Sequence, residues 1–395
     1  MIKRIGIDAR FLLRPLRGMP LYVTRLCQYL PALTRKYRFY FFINKAYEHN
    51  DKAENYQQRL DGILSRYDNV EIVNYNDDAE VKWEQIYLPR LLKEYKIDLL
   101  HMPGNRNVFV SHVPTVVTVH DVMEYLYLPL RYSWKSLFFQ SNFRMSLYML
   151  RTKLYVWAMY RYVMRRAAKI ITVSRYSAGD IQKTLEINPD KIEVIYHGLD
   201  EEFSKEVKKK ENSSAQLFVL MLGGDSYQKN PEGAILSWAN VPYEIRSAYP
   251  LKIIGFSGNE QSLLIQTLKR NNLLESVEVK GWVTQNELIE HFQNASLFLC
   301  LSRYEGFGFP LLQAMACGTP VISSNTSSLP EVLGEVGLQF SPHDYTHIAK
   351  GIEKMLSDES FRKNQSEAGI ARSRMFSWER SAEAHMKVYE EVLNK

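Results

Sequence analysis

Apolar residues along this chain come in short compact runs separated by longer amphipathic stretches. RIGIDA (4–9), FYFFIN (39–44), PTVVTV (114–119) and KIITVS (169–174) are rich in Val, Ile and aromatic residues. Runs that are apolar nearly throughout, rather than alternating, suit parallel strands buried on both faces. The stretches 20–32, 81–95 and 176–186 between them read as helices. Strands alternating with helices predict an open parallel sheet covered on both sides. The pattern pauses at DEEFSKEVKKKENSSA (200–215), which is polar, charged and reads as a linker. A second series follows in LFVLMLG (217–223), LKIIG (251–255), VEVKG (277–281), SLFLC (296–300) and PVIS (320–323). The chain is therefore read as α/β, with two doubly wound domains and a cleft between them. Ligands are expected there, beyond the carboxyl ends of the strands. The terminal FSWERSAEAHMKVYEEVLNK reads as an amphipathic helix that Ser377 can cap, with Trp378 as a large buried anchor.

Size and composition agree with this reading. A chain of 395 residues suits two domains of roughly 200 each. Apolar content of 46% with 24% charge is that of a soluble globular protein, and a net charge of +6 is too mild to argue for nucleic acid. The three cysteines, Cys27, Cys300 and Cys317, are scattered, with neither CxxC nor a Cys/His cluster. That pattern suggests neither a disulfide framework nor a zinc site. Lys3, Arg4, Asp8 and Arg10 interrupt the first apolar residues, so no signal-peptide core is read, and no apolar run approaches the ~18 residues of a spanning helix. A cytoplasmic protein is expected.

Candidate chemistry gathers where strands end. In LMLGGDSYQKNPEGAILSW (220–238) a strand ends in Gly223-Gly224, a polar loop carries Lys229, and Pro231 can open a helix. Backbone amides at such a helix start, beside a lysine, can hold phosphate oxygens. The absence of GxxxxGK[ST] excludes the ATPase type of phosphate loop, and an ordinary turn with a solvated lysine stays open. Gly18, before the first helix, either lets backbone approach a ligand or simply makes a turn. His120 follows PTVVTV directly, where it can donate to a sugar hydroxyl or merely cap a loop. In YEGFGFPLLQAMACGTP (304–320), Glu305 precedes Gly306-Phe307-Gly308 and a helix beginning near Phe309. The glycines permit positive φ and backbone N–H groups facing a ligand, while a carboxylate there accepts from hydroxyls. Gln313 falls about one turn inside that helix, facing the same side. It can accept from a hydroxyl, without the charge-assisted strength of an acid.

The run SRYEGFGFPLLQAMACGTPVISSNTSSLPEVLGEVGLQFSPHD (302–344) closely resembles the C-terminal signature of glycosyltransferase family four. IGIDARFL, WEQIYLPRLLKEYKIDLLHMPGN (83–105), VTVHDV, ITVSRYSAGDI (171–181), KIEVIYHGLDEEF (191–203), QKNPEG (228–233) and VEVKGWVTQNELIEHFQNASLFLCLS (277–302) are similar too, in order. The resemblance implies the GT-B fold, two Rossmann-like domains facing across a cleft. Residues 1–200 would be the acceptor side, 201–376 the nucleotide-sugar side, and 377–395 a helix crossing back to the first domain. It implies a retaining transfer from a nucleotide sugar to a glycan or lipid-linked acceptor in cell-surface polysaccharide synthesis. No required cofactor or metal is expected, and the nucleotide sugar would be the co-substrate. By position, Lys229 with Asn230 and amides near Gly224 would bind the diphosphate. Trp282 and Val283 would hold the base, Glu305 the sugar hydroxyls, and the amides of Gly306, Phe307, Gly308 and Phe309 the sugar and phosphate. Gln313 stands where the family has a second glutamate for the ribose, His120 matches a histidine near the donor sugar, and Gly18 a glycine loop.

Gln313, Gln228 before Lys229, and Met19-Pro20 after Gly18 depart from the family pattern. Each is expected to weaken donor binding; one charge-assisted hydrogen bond corresponds to roughly 1–2 kcal/mol. They leave open a catalytically weak or inactive sugar-nucleotide-binding protein, and a sugar-nucleotide epimerase shares the fold. From Arg131 to Lys169 there are nine Lys or Arg residues, no Asp or Glu, and many aromatics. Arg144, Arg151, Arg165 and Lys169 recur at helical spacing and would form a basic stripe on a continuous helix. Such a stripe suits an anionic membrane surface on the inner face of the membrane, or equally a solvated face of an ordinary helix.

Overall fold

The computed structural model describes residues 2–47, 56–77, 80–126, 143–204 and 217–395. They form two compact units, one of residues 1–198 with 378–395 and the other of residues 199–377.

The first unit is built on a seven-stranded parallel sheet, β1 (Lys3–Asp8), β2 (Tyr37–Asn44), β3 (Val70–Tyr75), β4 (Leu99–Met102), β5 (Thr115–Thr118), β6 (Lys169–Thr172) and β7 (Ile192–Val194). Their spatial order is β3-β2-β1-β4-β5-β6-β7. The central strands are buried on both faces, which is why their sequences are continuously apolar. The edge strands β3 and β7 are half-exposed and carry Glu71, Asn74 and Glu193, so the apolar pattern alone does not reveal them. Beneath the sheet, Trp83, Tyr160, Phe42 and Val117 belong to one buried cluster.

The second unit repeats the plan with six parallel strands, β8 (Val219–Leu222), β9 (Leu251–Ile254), β10 (Val277–Lys280), β11 (Leu297–Cys300), β12 (Val321–Ser324) and β13 (Leu338–Phe340). The order is β10-β9-β8-β11-β12-β13. The strand order therefore turns around between β8 and β11, which pair directly through Val219–Leu297, Leu220–Phe298 and Met221–Leu299. Connections leave these two neighbours toward opposite faces, opening a crevice at their carboxyl ends. Helices Pro231–Ala239 and Tyr345–Ser357 cover one core with Trp238 fully buried. Thr284 and Glu287 close a reciprocal capping box on helix Gln285–Asn294.

The terminal helix Trp378–Leu393 packs into the first unit against helix Met19–Leu33. Gly198 makes room for its start, since a Cβ there would lie 2.2 Å from the Trp378 backbone nitrogen. A buried polar chain then fixes the helix. His385 Nδ1 lies 2.7 Å from the Ser381 carbonyl, which can only accept, so Nδ1 carries the proton. His385 Nε2 then accepts from Tyr22 (2.7 Å), Tyr22 from Thr118 (2.7 Å), Thr118 from His101 Nε2 (2.8 Å) and His101 Nδ1 from Tyr389 (2.6 Å). One carbonyl thus sets the direction of five hydrogen bonds.

The chain holds only while both imidazoles are neutral. Burial holds His101 and His197 well below the usual histidine value, and the neighbouring histidines add to this. Burial likewise pulls His120 and His385 down to about 4. The unfolded chain therefore takes up protons from about pH 6.5 downward that the folded unit refuses, so stability is intact above that pH and lost below it. Each group contributes up to about 1.4 kcal/mol per pH unit in that window. Urea midpoints are expected to fall between pH 7 and pH 4.5, with a shallower fall for His385→Gln; coincident midpoints would contradict the neutral network.

Candidate functional site

The crevice of the second unit is shaped by two loops. After β8, Gly223 and Gly224 both adopt positive φ (120° and 51°). A Cβ on Gly223 would lie 2.3 Å from the Lys229 Cγ, and one on Gly224 would lie 2.1 Å from the Gly255 carbonyl oxygen. The pair is glycine because the lysine stem crosses one residue and the turn after β9 presses on the other. Both amides donate to the Ile254 carbonyl at 2.9 and 3.0 Å. That corrects the expectation for Gly224, whose N–H is committed to the sheet and is not available to a phosphate. Asn230 is corrected as well. It is fully buried in the left-handed region, caps Gly233 through Oδ1 at 3.2 Å, and donates to the Leu301 and Pro342 carbonyls at 3.0 Å. Every polar atom of its side chain is used in holding the loop.

The second loop follows β11. Lys229 Nζ donates to Glu305 Oε1 at 2.6 Å, and Ser302 Oγ donates to the same oxygen at 2.7 Å. Oε2 has no partner among the described residues. Burial is the largest single influence and lowers the lysine's proton affinity, but the charge and hydrogen bond of Glu305, with Cys300 nearby, together hold the ammonium above its ordinary value. The next strand's loop supplies hydroxyls that clamp the glutamate's backbone. Ser327 Oγ accepts from the Glu305 N–H at 3.0 Å, and Ser328 Oγ lies 2.9 Å from both the Glu305 and Phe307 carbonyl oxygens. Arg303 ties the loops together, donating from its backbone to Gln228 at 2.7 Å and from its guanidinium to the Tyr227 carbonyl at 2.8 Å.

Gly308 adopts φ 104° at the start of helix Phe309–Ala316, and a Cβ there would meet Leu329 Cδ2 at 2.8 Å. Phe307 is buried between Phe309 and Phe376, so its ring anchors the loop and only its backbone can face a ligand. Gln313 lies in the second turn of this helix, half-buried, with no hydrogen bond to its amide among the described residues. Trp282 is 69% exposed beside the Gly255 turn, followed by half-buried Val283. None of the hydroxyls of Ser302, Ser327 and Ser328 was singled out from sequence, although the SSNTSS run in 323–328 signals a hydroxyl-rich loop.

In the first unit His120 stands at the carboxyl end of β5. Its Nε2–H donates to the Pro103 carbonyl at 2.9 Å and its backbone N–H to Asn105 Oδ1 at 2.7 Å, which leaves Nδ1 as an acceptor. Gly18 is exposed at φ 53°, ψ −119°, a region essentially reserved for glycine, and Met19-Pro20 begin the following helix. The same unit holds an ion cluster that the motifs do not disclose. Buried Arg10 pairs with Asp8 at 2.8 Å and Glu84 at 2.7 Å, Tyr155 donates to Glu84, and Arg106 forks onto Glu124 at 2.7 and 3.0 Å. Burial raises the Asp8 carboxyl's pKa against the pull of Arg10.

The basic stripe is corrected. Helix Phe143–Ala158 passes into a wide turn, Met159–Val163, and a tight one, Met164–Arg166, so helical phase is lost before Lys169. Lys169 is instead the first residue of β6, buried, and paired with Glu391 at 3.0 Å. Arg165 pairs with Glu186 at 2.8 Å, Arg151 is exposed, and the side chain of Arg144 lies outside the described residues, as do residues 131–142. What the helix does expose is Leu150, Leu154 and Trp157 on one face, with Tyr162 and Arg166 beyond. Among the described residues no helix is long and apolar enough to cross a membrane, and no group of three or more His, Cys, Asp or Glu converges as metal ligands would.

Two doubly wound sheets of this order, each with its chemistry at the carboxyl edge, define the GT-B class. Solved structures share the fold along the whole chain. Sucrose-phosphate synthase from Thermosynechococcus elongatus superposes with a TM-score of 0.70 at 18% identity, covering 99% of each chain. Anabaena Alr3699/HepE in complex with UDP and glucose gives 0.69 at 17% identity, covering 99% of this chain and all of that one. The family model Glycosyltransferase Family 4 matches residues 16–203, and Glycosyl transferases group 1 matches residues 202–372. The chain belongs to this glycosyltransferase family. O-antigen chain mannosyltransferase B of Escherichia coli is 32% identical over 230 residues, 56% of this chain and 60% of that protein, so the match spans less than two thirds of the relative.

Proposed function

We propose that the protein is a retaining glycosyltransferase, moving a sugar from a nucleotide-sugar donor to a glycan or lipid-linked acceptor in cell-surface polysaccharide synthesis. The observation that carries this reading is the Lys229–Glu305 pair at the crevice between β8 and β11, a cation and a fixed carboxylate within hydrogen-bonding distance. The name of the E. coli relative supports a polysaccharide product, and the UDP and glucose in the Anabaena structure support a nucleotide-sugar donor.

In this reading Lys229 and the amides at the start of helix Phe309–Ala316 meet the charge of the diphosphate, which grows as the bond to the anomeric carbon breaks. Glu305 accepts from sugar hydroxyls through Oε2, and within the first unit His120 Nδ1 is able to accept from a sugar hydroxyl. The departing phosphate oxygen takes the acceptor's proton on the face it leaves, so configuration is kept without a general-base side chain. Holding donor and acceptor in line supplies the remainder of the rate. No metal takes part in the reading, and activity is expected to survive EDTA.

With purified protein and a panel of GDP-, UDP-, dTDP- and ADP-sugars, at least one donor is expected to raise the melting temperature and to be slowly hydrolysed. Lys229→Ala is expected to remove that shift, and a surviving shift would refute the phosphate role. Gln313 is read as the ribose contact, so Gln313→Glu is expected to tighten the donor by roughly five- to thirtyfold, the worth of one charge-assisted bond. An unchanged Kd in titration calorimetry would remove Gln313 from the site.

The apolar face of Leu150, Leu154 and Trp157, with Arg151 beside it, is read as the edge that meets an anionic membrane surface near a lipid-linked acceptor. Each basic residue near such a surface contributes about 1 kcal/mol. The protein is expected to sediment with phosphatidylglycerol vesicles at low salt and to be released at high salt. Retention in the supernatant at low salt would end the membrane assignment.

A further inference from the structure

Glu305 is held more firmly than contact with a sugar hydroxyl requires. Its Oε1 receives both Lys229 (2.6 Å) and Ser302 (2.7 Å). Ser302 is itself buried, and its carbonyl accepts from Ser324 Oγ at 2.5 Å and Thr326 Oγ1 at 3.1 Å. The glutamate's own peptide groups are pinned by Ser327 and Ser328. A carboxylate so fixed cannot swing aside when a second anion approaches Lys229. It remains a negative charge beside whatever the lysine binds.

That distinction matters because the two diphosphates of a transfer reaction differ in charge at the phosphate nearest the lysine. In a nucleotide sugar this phosphate is esterified to the sugar and anhydride-linked to its neighbour, which leaves one negative charge, and the attached sugar offers hydroxyls to Oε2. In the free nucleoside diphosphate it is a terminal phosphate, bound only through its anhydride oxygen, with close to two charges at neutral pH. It brings no hydroxyl to lie against the carboxylate. Like charges a few ångströms apart in a partly desolvated site repel strongly.

Resting on the reading that Lys229 binds the donor diphosphate, we propose that Glu305 discriminates against the spent nucleoside diphosphate, accepting the nucleotide sugar and repelling the product that remains after transfer. Ser302 is the positioning residue, keeping the carboxylate from turning away. The pair is a product-release device as much as a sugar contact.

Titration calorimetry on the full chain with UDP, GDP, UDP-glucose and GDP-mannose tests this in the wild type, Glu305→Gln and Ser302→Ala. Glutamine keeps an acceptor for Lys229 and Ser302 but not the charge. Glu305→Gln is expected to bind the free diphosphate about tenfold tighter and the matching nucleotide sugar no tighter. The ratio of the two dissociation constants then shifts by tenfold or more. Ser302→Ala is expected to shift the ratio the same way by a smaller factor, with Ser302→Thr restoring it. The same ratio in wild type and Glu305→Gln, with both ligands binding, would overturn the proposal while leaving the donor site standing. Absence of binding by these four and by the dTDP and ADP pairs of the donor panel to folded wild-type protein would overturn both.

Discussion

The second unit depends on one topological constraint, the divergence of two hydrogen-bonded parallel strands. β8 and β11 run side by side, yet their chains leave toward opposite faces, so backbone cannot fill the space beyond their ends. Lys229 enters that space from one side and Glu305 from the other, and their ion pair bridges the gap. Most other local features serve this meeting. Gly223 lies flat so that the lysine stem can cross it, Asn230 pins the turn behind, Arg303 couples the two loops, and the serines of the β12 loop hold the glutamate's peptide.

The first unit has the same wiring with different contents. Its carboxyl edge presents His120 and a glycine turn, while the charges at the end of β1 are turned inward into ion pairs. A buried arginine with two carboxylates is not a source of stability in itself, because desolvation cancels much of the attraction. Its effect is geometric: breaking one member would leave an unmatched charge in the core. Neutral histidines and matched ions thus let this unit carry many polar groups in a dry interior.

The legible and illegible parts of the sequence divide along a physical line. Buried strands such as RIGIDA and KIITVS declare themselves because both faces meet apolar helices, and the loops bearing Lys229, Glu305 and His120 follow from where such strands end. The half-exposed edge strands β3, β7 and β13 do not, although the edge strand β10 does through its Val-Glu-Val alternation, and the short buried β4, which carries His101, is missed as well. Side-chain fates set by distant partners were also hidden. Lys169 looked like a surface cation until Glu391 was brought beside it, and Asn230 looked like a ligand contact until Leu301 and Pro342 claimed its amide. Asp8 and Glu84 are far apart in sequence, and only the fold makes them neighbours of one arginine.

The terminal helix adds an ordering in time. Tyr22, His101 and Thr118 emerge early from the ribosome, but His385 and Tyr389, which complete their hydrogen bonds, follow after the whole of residues 199–377. At about 5–20 residues per second, that gap lasts roughly ten to forty seconds. Throughout it the nascent first unit has a groove lined by unsatisfied polar groups and the apolar face that Trp378 and Val388 will cover. The second unit is contiguous and can close on its own during this wait. The unit whose synthesis begins first is therefore completed only after the second unit, when residues 378–395 join it.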